Sequence, residues 1–279
     1  MNGAATFGRW ALLTGLLFTV ASLAEPIPSA PTAPDAVPDA ILGKAGPPRG
    51  TPVPYYVGNP KAVGYLAEPA GPGLHGAVIL VHEWNGLVER IKQTADAFAA
   101  EGYVALAVDL YAGRTGSNPE ENMALVKETL ANPDEIVRNL DAAATFLKSR
   151  KDVTGKVATI GWCFGGGVAL TFAIGNDNHE ATAIFYGSLL DDPEQMQHIH
   201  HEVYGTFAGL DQRITREHVD GFVAALRKAG VPNEVHVYDD VEHGFWLYVD
   251  RDPGTNLGPA LDAWRRLKSY LARTLYPAP

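Results

Sequence analysis

The chain of 279 residues contains a single cysteine, Cys163, set in Gly161-Trp162-Cys163-Phe164-Gly165. A short β-branched run, 156–160, precedes this pentapeptide, and a small, apolar run, 166–174, follows it. The pattern predicts a strand, a sharp turn and a helix, with the thiol at the turn. Glycines two residues before and after the cysteine suit such an elbow, because bulkier neighbours would clash there. An elbow lifts its central side chain toward substrate. It also aims the backbone N–H of Phe164 and the start of the helix at one point, which favours a thiolate and the oxyanion of acyl transfer.

A thiol nucleophile needs a base, and the base needs an orienting acid. The predicted strand 204–208 runs into Gly209-Leu210-Asp211, and the predicted strand 234–238 runs into Asp239-Asp240-Val241-Glu242-His243-Gly244. Asp211 and His243 thus follow the cysteine in the order nucleophile, acid, histidine, each just past a strand. A free cysteine titrates near about 8.5 and is only slightly ionised at neutral pH, so a neighbouring imidazole and a helix N-terminus are what it requires. Asp211 would hold His243 in the tautomer that exchanges a proton with sulfur and leaving group. Asp191 and Asp192 precede the expected strand, and Asp239 and Asp240 stand too close to the histidine loop, so these rival acids fit the order less well.

The stretch Val81-His82-Glu83-Trp84-Asn85-Gly86 places a carboxylate directly after a buried strand. Such a charge is costly unless paired. The backbone N–H of Trp84 is placed to be a second oxyanion donor beside that of Phe164. Tyr111, Phe245 and Trp246 are candidate pocket residues near these loops, and they imply an apolar site. The run His198-Ile199-His200-His201 lacks the accompanying cysteine or Glu-x-x-His spacing of a metal site and reads as a solvated loop.

The elements that must carry these residues alternate. Strands are predicted at 55–57 and 62–66 around Gly58-Asn59-Pro60, then at 77–82, 104–109, 156–160, 182–186, 204–208 and 234–238. Helices are predicted at 88–101, 133–148, 166–174, 216–228 and 259–275. This is an α/β chain with a doubly wound, mostly parallel sheet and helices on both faces. Arg9, an apolar run over 10–20 and Ser22-Leu23-Ala24 predict a signal peptide over 1–24, cleaved after Ala24, and hence a periplasmic or secreted protein. A Pro- and Ala-rich stretch at 25–52 reads as a semi-rigid linker before a domain at 53–279. With 46% hydrophobic residues the chain can bury a large core. A formal net charge of -10, without Lys/Arg clusters, argues against nucleic acid and anionic membranes as partners. After cleavage no stable membrane association is expected, and a small molecule is the expected partner. In an exported protein a lone cysteine has no internal disulfide partner, which points to chemistry at Cys163.

Taken in order, Val81-His82-Glu83-Trp84-Asn85-Gly86-Leu87, Ala100-Glu101-Gly102-Tyr103-Val104-Ala105, Asp109-Leu110-Tyr111, the Cys163 elbow, Gly209-Leu210-Asp211 and Glu242-His243-Gly244-Phe245 resemble the dienelactone hydrolase family of α/β-hydrolases. The resemblance spans about 55–275. It implies the α/β-hydrolase fold, a Cys163–Asp211–His243 triad, and a glutamate, Glu83, that helps move the thiol proton. It further implies hydrolysis of an ester or lactone through a thioester, with no metal or organic cofactor. The pattern departs in two places: Gly244, Phe245, Trp246 and Leu247 follow His243, where members that open dienelactone carry a small polar residue and a nearby arginine for the substrate carboxylate, and the expected signal peptide and Pro-rich linker set the chain apart from the cytosolic aromatic-degradation members. Arg114 is a charge available on another loop. A thioesterase or peptidase on the same scaffold, or a non-catalytic small-molecule binding protein, remains an alternative reading.

Overall fold

The computed structural model describes Met1 and residues 36–276. The expected signal peptide beyond Met1 and the first part of the expected linker lie outside the described residues. Eight strands form one sheet in the order β1 (Thr51–Pro54), β2 (Val63–Ala67), β4 (Val104–Ala107), β3 (His75–Val81), β5 (Val153–Trp162), β6 (Ala181–Phe185), β7 (Val203–Ala208), β8 (Asn233–Tyr238). β1 and β2 pair antiparallel to their neighbours, and all pairs from β4 to β8 are parallel. The chain lays β4 on one side of β3 and β5 on the other. The direction of winding therefore switches between β3 and β5, where open α/β sheets place ligands beyond the strand carboxyl ends.

Both faces of the central strands are buried, which is why they read as continuous apolar runs. Alternation along β3 divides the core. Val78 and Leu80 pack with α1 (Glu89–Ala100) and α7 (Pro253–Leu275), through Ile91, Phe98, Trp264 and Leu267. Ala77, Ile79 and Val81 pack on the opposite side with α3 (Pro133–Lys148) and α4 (Phe164–Gly175), through Leu140, Ala144, Val168 and Phe172. A third cluster joins α4 to α6 (Arg216–Ala229) and the β6 and β7 strands, through Leu170, Phe222, Ile184 and Phe207.

Several expectations need correction. The first strand ends at Pro54, not 57, because Tyr55 turns inward, and its hydroxyl donates to Asn139 Oδ1 at 2.7 Å and accepts from the Asp109 N–H at 3.2 Å. The last helix begins at Pro253, capped by Asp252, and carries Pro259 inside it. A helix α2 (Pro119–Leu130) and a four-residue turn α5 (Pro193–Met196) had not been expected. The described half of the expected 25–52 linker is no spacer. Ile41 is fully buried in the core, and its carbonyl accepts from Val249 N–H at 3.0 Å. Arg90 donates to the Ala40 carbonyl at 2.6 Å, and Gln93 to that of Gly46 at 3.1 Å. A few apolar side chains in a Pro- and Ala-rich background suffice to seat this segment, since burying Ile41 alone is worth about 2 kcal/mol.

Candidate active site

Cys163 sits between the end of β5 and the start of α4 with φ 55° and ψ -117°. A side chain other than glycine at such a φ is strained by about 1–3 kcal/mol and is held there by its surroundings. Those surroundings are the Phe185 carbonyl, which accepts the Cys163 N–H at 3.0 Å, and the first turn of α4, whose Gly166 N–H donates to the Cys163 carbonyl at 3.1 Å. The flanking glycines are required by contact: a Cβ at Gly161 would overlap the Gly165 carbonyl, and one at Gly165 would overlap the carbonyls of Val81 and His82. The elbow thus presses α4 against the end of β3. The thiol is left partly exposed.

The structure brings Asp211 and His243 to this thiol. His243 Nδ1–H donates to Asp211 Oδ2 at 2.6 Å, and the other carboxylate oxygen accepts the N–H groups of Arg213 and Ile214 at 2.8 and 3.2 Å. Burial pushes the Asp211 carboxyl up, but His243 and these backbone donors outweigh it and hold the pKa below the usual range. Burial likewise works against a charged His243, but Asp211 and the neighbouring Cys163 overcome it and raise the imidazole to about 10. Nε2 is buried without a well-aligned hydrogen bond among the described residues. That is the nitrogen left to serve Cys163, and such contacts are often loose without substrate. The ring of Tyr186, at 4.9 Å, packs against the imidazole and fixes its plane. Of the rival acids, Asp192 caps α5 and Asp239 pairs with Arg216.

His82 sets the other side of the site. Leu110 N–H donates to its Nε2 at 3.3 Å, so the proton resides on Nδ1, which donates to the Glu83 carbonyl at 2.6 Å. Complete burial lowers the His82 pKa and keeps this neutral form. In a trans peptide the C=O and N–H point in opposite directions. With the Glu83 carbonyl held by His82, the Trp84 N–H is turned the other way. Neither that N–H nor the Phe164 N–H bonds to another group among the described residues, so both remain available as donors.

Glu83 is 5% exposed and lines, with Cys163 and His243, a polar cavity of about 650 Å³. Burial raises its pKa, opposed by a hydrogen bond from Tyr248 and by the charges of His243, Arg251 and Arg90. Arg251 stacks over the Tyr248 ring at 3.7 Å, and Arg90 lies 5.1 Å from the same ring while pairing with Asp250 at 2.8 Å. The 36–50 segment, through Ala40 and Ile41, therefore braces the turn that carries Tyr248 and Arg251 beside Glu83.

A second cavity, of about 290 Å³, opens from the same thiol and is apolar. None of the three aromatic residues expected to bind substrate lines either cavity. Tyr111 is 1% exposed, and its hydroxyl donates to the Trp84 carbonyl at 3.1 Å. Phe245 and Trp246 are buried in the core, Trp246 stacked on Trp162 at 5.6 Å. The turn after His243 drives them under the sheet, because an apolar run beside α7 is more stable buried than facing the site. Arg114 is bound to Glu128 at 2.6 and 2.9 Å and lines neither cavity. His201 and His200 lie by Thr182 and Asp177 rather than near the thiol.

The profile of the dienelactone hydrolase family matches residues 63–275. The chain belongs to the dienelactone hydrolase family. Protein usf of Aquifex pyrophilus is 33% identical to it over 224 residues, covering 77% of this chain and 94% of that protein. A Methylorubrum extorquens protein named "Putative carboxymethylenebutenolidase" is 31% identical over 219 residues, 74% of this chain and 75% of the relative. The fold of a dienelactone hydrolase-like promiscuous phosphotriesterase from metagenomic libraries superposes with a TM-score of 0.70, at 21% identity, over 82% of this chain and 99% of that one. By family the protein is a carboxylic ester or lactone hydrolase acting on a small molecule, with the α/β-hydrolase fold. The dienelactone hydrolase match starts at 63, so the bracing segment 36–50 lies outside it. Sequence reasoning missed Arg213 and Arg251, which line the polar cavity, and α2, which lines the apolar one. Arg251 could have been found only by allowing an eight-residue turn after His243. The α2 signal was present in Asn118-Pro119-Glu120-Glu121, an N-cap followed by proline and acids.

Proposed function

We propose that the protein hydrolyses a carboxylic ester or lactone with Cys163 as nucleophile, through a thioester acyl-enzyme. The observation that carries this reading is the Asp211–His243 hydrogen bond, with the unpaired Nε2 left for the neighbouring Cys163 thiol on a strained elbow at a helix N-terminus. The thiol proton passes to His243 Nε2, directly or by way of Glu83, and Sγ attacks the carbonyl carbon to form a C–S bond. The carbonyl oxygen gains negative charge and is met by the N–H groups of Phe164 and Trp84. As the intermediate collapses the C–O bond breaks, and the His243 imidazolium gives its proton to the leaving oxygen. Water then attacks the thioester, its proton goes to His243, and the C–S bond breaks to release the acid. A relative named for carboxymethylenebutenolide hydrolysis supports a lactone or ester as substrate. No step needs a metal or organic cofactor.

The test is trapping. Acid-quenched reaction with an aryl ester should show the intact mass raised by one acyl group, and peptide mapping should place it on Cys163. Turnover with the acyl group on another residue, or with no adduct under burst conditions, would overturn the assignment.

We further propose export, supported by Arg9, the apolar run 10–20 and the small residues before Glu25. Sequencing the protein recovered from its native host should find Glu25 as the first residue. An intact N-terminus on the active enzyme would exclude a cleaved signal.

A further inference from the structure

The cavity of about 290 Å³ is walled by Met123, Val126 and Leu130 of α2, by Leu189 and Leu190 of the loop after β6, and by Ile214 before α6. Positions 123, 126 and 130 share one face of α2. Val126 also packs against the core beside the buried Asn122 and Leu125, but Met123 and Leu130 stay exposed, so the outer part of this face is not spent on the core. Nine large hydrophobic side chains are exposed among the described residues, and Met123, Leu130 and Leu190 are three of them. Scattered exposed leucines need no explanation. Three around one cavity that ends at the nucleophile do.

We infer that this cavity binds the acyl arm of the substrate, and that the arm is a hydrocarbon chain or single aryl ring of about ten non-hydrogen atoms at most. The inference rests on the thiol hydrolase reading above. The side of the substrate follows from the loops. His243 must reach the leaving oxygen, and its own loop, with Glu242 and Gly244, lines the polar cavity. Trp84, Cys163 and His243 stand at the junction and line both cavities, whereas Phe164, whose N–H meets the carbonyl oxygen, lines only the apolar one. The leaving group thus points to the polar side and the acyl group to α2. The size follows from the volume of about 290 Å³, taking for each non-hydrogen atom about the 30 Å³ that one molecule occupies in liquid water. Each methylene moved from water into the cavity is worth about 0.8 kcal/mol, or about fourfold in kcat/KM at 1.4 kcal/mol per tenfold.

The test is a series of 4-nitrophenyl esters from acetyl to dodecanoyl. The wild-type kcat/KM should climb about fourfold per methylene, peak near six to eight carbons and then fall. Met123→Glu and Leu130→Glu change exposed positions on one helix face and should each lower the octanoyl-to-acetyl ratio at least tenfold. Leu257→Glu, at an exposed position on α7, should leave that ratio unchanged. A flat chain-length profile, with acetyl groups still trapped on Cys163, would overturn the acyl-arm assignment while leaving the hydrolase reading intact. So would a rising profile that neither α2 variant alters. Failure of every ester to acylate Cys163 would instead overturn the hydrolase reading and this inference with it.

Discussion

Cys163→Ala is expected to lower kcat/KM for any ester the wild type cleaves by at least about 10⁵-fold while the protein stays folded. Loss of the nucleophile in a triad enzyme costs about as much as loss of the whole triad, and no second thiol exists to substitute for it. The fold should tolerate the change. The side chain is only partly buried, and the elbow is held by backbone hydrogen bonds and by close glycine contacts that alanine leaves in place. Alanine is no better than cysteine at φ 55°, so the strain is unchanged and the melting temperature should move by only a few degrees. Parallel measurement of turnover and thermal unfolding decides the matter. Activity within tenfold of wild type, in a sample shown by mass to carry the substitution, would mean that another group attacks. A wild type that binds esters without cleaving them, under conditions where the thiol is free, would revive the binding-protein reading.

The expected triad and the expected parallel sheet rest on one property of such sheets: site residues follow buried strands, and most of those strands are conspicuous as apolar runs. Cys163 directly follows such a run, Asp211 stands three residues beyond β7, and His243 stands five residues beyond the half-buried β8, where the chain order of nucleophile, acid and histidine pointed to it. The pocket lining was not legible for the converse reason. Tyr111, Phe245 and Trp246 are aromatic and lie near site loops, but an aromatic residue in a turn has no period to say whether it faces core or cavity. All three went to the core. Among the residues that do line the apolar cavity, Met123, Val126 and Leu130 form a thin stripe on a helix that buries only Asn122 and Leu125, so the segment carried little signal of burial. Composition misled at 36–50 as well. Proline and alanine suggested a spacer, and the one residue that decides its place, Ile41, is a single side chain in a long stretch.

The loops also show why a charged pair can lie so deep. Asp211 is 4% exposed, and an isolated carboxylate there would be costly. It is offset by three hydrogen bonds, one from His243 and two from backbone N–H groups that exist only because the chain turns at 211–214 into α6. The turn therefore both holds the Asp211 carboxylate and, through Arg213 and Ile214, lines the cavities that open from the thiol.

That arrangement gives the second large effect. Asp211→Asn should lower kcat about 10⁴-fold, by a change of tautomer rather than of shape. The Arg213 and Ile214 N–H groups are donors, so they will hold the amide oxygen of the asparagine in the place of Oδ1. Its NH₂ then faces His243 Nδ1, which must become an acceptor, and the imidazole proton moves to Nε2. An Nε2–H cannot take a proton from sulfur. With the carboxylate gone, burial becomes the dominant influence on His243 and should bring its pKa down from about 10. The stability difference between wild type and variant carries the same signature. In the wild type the raised His243 pKa contributes stability that is fully present below the unfolded value of about 6.5 and is lost as pH rises through about 10. The depressed Asp211 pKa contributes stability present above the unfolded value of about 3.9 and lost as pH falls through the lower folded value. Both contributions are present together between about pH 5 and 6.5. The gap in melting temperature should therefore be widest in that window, narrow in strong acid, and narrow again above about pH 10. A variant that keeps more than a tenth of wild-type kcat, or a gap that does not vary with pH, would show that Asp211 neither orients nor charges His243.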